Sequence, residues 1–154
     1  MKPLWTTLLI LLAIPCLAAE EEPDVSCDLN DLTTMQDGPM MVIYGFDTEK
    51  PKFVMFSPGG PSARNKTVLE TNRKRVSSNP DSGLSVNNSY FDTVVTRNDV
   101  DPHGEDQEDP FKLGNKLVLQ YYPIKESATD GILLIRSAND EIIVAECNKL
   151  EKGN

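Results

Sequence analysis

Lys116-Leu117-Val118-Leu119-Gln120-Tyr121-Tyr122, Gly131-Ile132-Leu133-Leu134-Ile135-Arg136 and Glu141-Ile142-Ile143-Val144-Ala145-Glu146 are three apolar runs set close together in the last third of the chain. β-Branched and aromatic residues dominate them, as they do on pleated, half-buried surfaces. Ser137-Ala138-Asn139-Asp140 between the second and third is a compact turn, so the segment predicts an antiparallel meander with Leu134 or Ile143 in its core. Apolar residues stand side by side in each run instead of alternating cleanly. Both faces of these strands must then be at least partly covered, as in a closed barrel or two stacked sheets.

Upstream the same signals recur at wider spacing. Met40 to Phe46 and Lys52 to Phe56 read as a hairpin joined by residues 47–51, and Tyr90 to Thr96 as a further strand. Ser57-Pro58-Gly59-Gly60-Pro61-Ser62 is a break, Lys66 to Glu70 a short strand, and Asn72 to Asn87 a polar loop or poorly paired edge. Asn98 to Pro110 carries six acids and predicts a mobile, solvated loop. Glu20 to Ser26 reads as a flexible arm. No segment longer than about 10 residues shows a helical period of apolar positions. The expected fold is all-β, a small antiparallel barrel or sandwich of six to eight strands.

The N-terminus has a different character. Met1-Lys2 is a short basic start, Leu8 to Ile14 an apolar run, and Pro15-Cys16-Leu17-Ala18-Ala19 a breaker followed by small residues, after which Glu20-Glu21-Glu22 is abruptly acidic. This three-part form predicts a secretory signal peptide over residues 1–19, cut after Ala18 or Ala19, followed by a single β domain over 20–154. The apolar run is shorter than the roughly 20 residues that cross a bilayer, so no membrane span is expected. Removal of residues 1–19 leaves 135 residues with two cysteines, Cys27 and Cys147. Two thiols near opposite ends of an exported domain predict one disulfide, tying the N-terminal arm to the last strand.

Charge narrows the partners. The 154 residues carry 15 Lys and Arg against 24 Asp and Glu, a net of −9, which excludes a nucleic-acid binder or a polybasic membrane-surface protein because both need clustered cations. Asn65-Lys66-Thr67 and Asn87-Asn88-Ser89 match the N-glycosylation pattern, and export makes Asn65 and Asn87 candidate acceptors. Arg73-Lys74-Arg75, the one basic cluster, reads as a solvated loop. Asp99-Val100-Asp101 opens like a calcium-binding EF-hand loop, yet Pro110 stands where the bidentate Glu belongs. His103 is the single His, so any His-dependent triad must use it and any site with two His ligands is excluded. No metal and no cofactor are expected, and no enzymatic activity.

Met35, Met40, Met41 and Met55 gather with Tyr44, Phe46, Phe53 and Phe56 in the first third. Methionine and aromatic side chains adapt to irregular apolar ligands, which makes Met41, Tyr44, Phe53 and Met55 the candidate ligand-binding residues of a barrel interior. The Gly-x-Trp signature of lipocalins has no counterpart, since the only Trp is Trp5 in the leader. The expected function is that of a secreted, non-enzymatic binding protein that carries a small lipophilic ligand. The alternative is an extracellular protein–protein interaction module acting through its loops as inhibitor, receptor ligand or matrix ligand.

Overall fold

The computed structural model describes residues 21–29, 39–56, 65–78, 87–106, 108–124, 130–138, 140 and 142–151. Eight strands appear, with no helix among these residues: β1 (Val25–Asp28), β2 (Met40–Tyr44), β3 (Lys52–Phe56), β4 (Lys66–Ser78), β5 (Asn87–Asn98), β6 (Lys116–Pro123), β7 (Gly131–Arg136) and β8 (Ile142–Lys149). Each pairs antiparallel with the next and β8 returns to β1, so the sheet closes into an up-and-down barrel. Closure removes both sheet edges, the exposed rows of backbone donors and acceptors that would otherwise template aggregation.

Alternation along each strand sends one set of side chains inward. Met41 and Ile43 of β2, Phe53 of β3, Leu69 of β4, Phe91 and Val95 of β5, Leu117 and Leu119 of β6, and Leu133 and Ile135 of β7 are all at most 2% exposed and form one cluster. Each such side chain contributes about 1.5–3 kcal/mol by leaving water, and together they hold the barrel. The alternation corrects one expectation. Leu133 and Ile135 point inward, so Leu134 between them lies on the outer wall, half-buried, whereas Ile143 packs against the inner cluster. Val42, Val54, Phe56 and Val68 form a second, smaller cluster on the outer side of β2, β3 and β4.

The N-terminal arm is also more structured than its composition suggests. Val25–Asp28 is strand β1, held between β2 and β8, and Cys27 stands directly opposite Cys147 in the β1–β8 register. The two form a disulfide inside the barrel, both sulfurs among the buried core residues. The bond closes a loop of 120 residues, for which chain-entropy reasoning sets a ceiling of about 4–5 kcal/mol.

The largest departure lies in the expected polar loop, because β4 runs on to Ser78 and pairs with β5 from Asn87 onward. Polar residues form strand here because the outward face of a long hairpin is solvated and its backbone groups are satisfied by the partner strand. The ladder contains two register shifts, one passing over Asn72 of β4 and one over Thr96 of β5. Each extra residue reverses the inward–outward parity beyond it. Thr71 points inward, Asn72 and Arg73 both outward, and Lys74 inward; Val95 points inward, Thr96 and Arg97 both outward, and Asn98 inward.

Two measurements check this arrangement. Leu133→Ala should cost about 2–5 kcal/mol in chemical denaturation while Leu134→Ala costs under about 1, and equal losses would refute the register. Cys27→Ser and Cys147→Ser should each destabilise by about 2–5 kcal/mol, with the double variant no worse than either single one.

Candidate functional site

Three of the four candidate ligand residues face inward. Met41 and Phe53 are fully buried in the core, Met55 is partly buried against it, and Tyr44 lies on the outer wall, where it borders a groove of about 650 Å³ with Lys52, Val54, Phe56 and Lys66. The quartet therefore does not converge. The single residue between Ile43 and Gly45 takes the opposite face of β2, as strand geometry requires. The core cluster to which Met41 and Phe53 belong is occupied by the protein's own rings: Phe53 meets Phe91 at 5.1 Å between centroids, and Phe46 meets Tyr121 edge-on at 4.8 Å. Gly131 allows this filling, since a Cβ there would fall on the Tyr121 ring. Burial pushes the Tyr121 phenol above its ordinary range, with the Asp130 carboxylate adding to the effect.

The two bulges place one polar residue at each end of this apolar column. At the end formed by the β2–β3 connection, Lys74 donates through Nζ to the carbonyls of Phe46 at 2.8 Å and Thr48 at 3.1 Å. Its ammonium also lies over the rings of Phe46 and Phe91, 5.7 and 5.8 Å from their centroids. Phe46 is itself held by Asp24, whose carboxylate accepts from the Phe46 N–H at 2.7 Å. Within the basic triplet, Lys74 thus serves the barrel end, and Arg75 pairs with Asp92 at 2.9 Å outside.

At the opposite end Asn98, only 4% exposed, organises the acidic segment. Its Nδ2 donates to Asp109 Oδ2 and to the Phe111 carbonyl, and its Oδ1 accepts from the N–H groups of Val100 and Asp101, all at 3.0 Å. Asp101 repeats the device, accepting from Glu105 N–H at Oδ1 and Asp106 N–H at Oδ2, and Asp109 Oδ1 accepts from Phe111 N–H at 2.8 Å. Phe111 then buries its ring in the core. Where the sequence predicts a mobile, solvated loop, backbone N–H groups of the segment donate to the side chains of Asn98, Asp101 and Asp109 and give it a defined path, while Glu105, Asp106 and Glu108 remain exposed. Those same bonds from Glu105 and Asp106 hold the Asp101 carboxyl below the usual carboxylate range, and the Arg97 hydrogen bond does so for Asp99. Among the described residues no three His, Cys, Asp or Glu side chains converge to hold a metal ion. His103 is exposed at the loop surface.

The folded loop presents Val100 at 61% and Leu113 at 53% exposure beside the exposed acids Glu105, Asp106 and Glu108. A groove of about 570 Å³ separates Lys112–Lys116 from Ser137 and Ala138 of the β7–β8 turn. Asn65 and Asn87 are both exposed, at the start of β4 and in the first position of β5. Among the described residues no helix is long and apolar enough to cross a membrane. Comparison with known protein families, characterised proteins and solved structures finds no match to this chain.

Lys74, expected in a solvated basic loop, and Asn98, expected only as the start of the acidic loop, both turn inward. Asn98 had a local signal, an Asn closing a β run and followed by Asp residues able to bond their own backbone two to five positions on. Lys74 had none, because only the bulge decides that it, and not Arg73, faces inward.

Asn98→Ala leaves two part-buried N–H groups and the buried Phe111 carbonyl without this partner, and should cost about 1–3 kcal/mol and open the loop to proteolysis. Asp101, with its folded pKa lowered, contributes stability above its unfolded value of about 3.9 and loses it as pH falls through the lowered one. Amide signals of Glu105 and Asp106, followed by NMR, should therefore hold steady from pH 7 to about 5 and shift only below about 4. A transition above that pH would show that the carboxylate does not carry the loop.

Proposed function

We propose that this chain is a secreted, non-enzymatic binding protein that engages an extracellular protein through the hydrogen-bonded segments 98–106 and 108–115 and the groove beside them. The observation that supports this reading over lipophile transport is the filling of the barrel. A carrier needs a cavity of a few hundred Å³. Here Phe53 packs on Phe91, both rings and Met41 are 0% exposed within one core cluster, Lys74 is latched over the rings at one end and Phe111 is inserted near the other.

The loop has what a recognition surface needs. Hydrogen bonds to Asn98, Asp101 and Asp109 hold its backbone, which lowers the ordering entropy that binding would cost. Two exposed aliphatic side chains of this segment, Val100 and Leu113, supply apolar contact, and Glu105, Asp106 and Glu108 of the same segment are exposed as well. The complementary partner is a basic protein surface with an apolar centre, and the net charge of −9 steers it in. The leader-like residues 1–19, the disulfide and the sequons at Asn65 and Asn87 support an extracellular place of action.

Native mass spectrometry of the protein purified from its own source tests this reading. A co-purifying protein that dissociates as salt rises, and is lost in Leu113→Arg, is the expected result. A retained small lipophile in its place would overturn the reading and return the function to the barrel interior. N-terminal sequencing of the same material should begin at Ala19 or Glu20.

A further inference from the structure

The outer wall of β6, β7 and β8 is apolar where a barrel wall facing water would be polar. Val118, Ile142 and Val144 are 38%, 50% and 46% exposed, with Ile132, Leu134 and Tyr122 half-buried among them. The register arranges them in three rows across the strands: Val118, Arg136 and Ile142; Gln120, Leu134 and Val144; Tyr122, Ile132 and Glu146. We propose that a second copy of this chain docks here, wall to wall, about a two-fold axis passing by Leu134 and Val144.

The charge pattern selects that occupant. Arg136 and Glu146, both exposed, stand at diagonally opposite ends of the β7–β8 ladder, each beside an isoleucine of the other strand, Ile142 or Ile132. A two-fold contact pairs residue i with j and j with i. With the axis lying in the interface roughly across the strands, and the two walls crossing at about 30° as stacked sheets do, the ladder's ends exchange. Arg136 of each copy then meets Glu146 of the other, Val118 meets Ile132, and Leu134 and Val144 meet their own counterparts. A patch carrying one cation and one anion is also a place where two molecules of net charge −9 can approach, because the surplus acids of the 98–115 loop lie at the end of the barrel instead of on this wall.

The size of the patch sets the strength. Three strands about 4.8 Å apart and three rows about 6.8 Å apart outline roughly 300 Å² of wall, well short of the roughly 800 Å² per partner in a standard stable interface. Self-association should therefore be weak, with a dissociation constant between about 10 μM and 1 mM. The sequons at Asn65 and Asn87 lie outside β6, β7 and β8, so glycans there leave the wall open.

Sedimentation equilibrium of the protein across that concentration range is the test. The expected result is a reversible monomer–dimer equilibrium that Val144→Glu abolishes. Arg136→Glu and Glu146→Arg should each weaken it by about tenfold or more, and the combined reversal should restore it to within about threefold, because the pair is swapped across the axis. Both charge positions are exposed, so these variants remain informative even if Val144→Glu fails to fold. A monomer at every concentration, or a dimer indifferent to the charge reversals, would overturn the proposal.

Discussion

Closure of the β1–β8 pair is the constraint on which the rest of the molecule depends. A sheet of eight strands can bury one face only if its first and last strands meet. Here the meeting is made by the shortest strand, Val25–Asp28, against the C-terminal one. Four residues of pairing hold weakly by themselves. The Cys27–Cys147 disulfide lies inside the barrel at that seam and makes the closure covalent, so the two ends of the described chain cannot part without losing the core. Loss of the seam would expose the apolar lining and two strand edges together.

Given closure, the β4–β5 ladder does the second piece of work. It is the longest in the barrel, and its two bulges reverse side-chain parity at opposite ends. One delivers an ammonium to the carbonyls of the β2–β3 connection, the other a carboxamide to the backbone of the acidic loop. Both groups are polar and turned toward an apolar column, a costly placement unless every donor finds an acceptor. The hydrogen bonds they make finish the ends of the barrel, and at the Asn98 end the same bonds fix the surface that the proposed function uses.

The column between them is full. Aromatic rings pack edge to face along its axis, and a glycine at the start of β7 makes room for the Tyr121 ring. A barrel filled this way is a solid scaffold. Its outside is not uniform. The loop end is acidic with two exposed aliphatics, while the β6–β8 wall is apolar and locally balanced in charge. These two surfaces are separate in chemistry and in position, so each can be altered without disturbing the other.

The amino-acid sequence by itself determined the all-β class, the three C-terminal strands, the hairpin of β2 and β3, and the pairing of Cys27 with Cys147. Each of these rests on local pattern or on simple elimination: short apolar runs rich in β-branched and aromatic residues, turn residues between them, and two thiols near opposite ends of the expected domain. Tertiary structure decided everything that depends on which face a residue takes. Leu134 and Tyr44 look like core residues in a linear reading, yet they lie on the outer wall because their neighbours Leu133 and Ile43 point inward. Polar β4 became a strand because β5 was there to satisfy its backbone. Lys74 and Asn98 turned inward because a single extra residue in one strand of a pair reverses every side chain beyond it, and the position of a bulge is set by the register of the partner strand, which no local stretch of sequence contains.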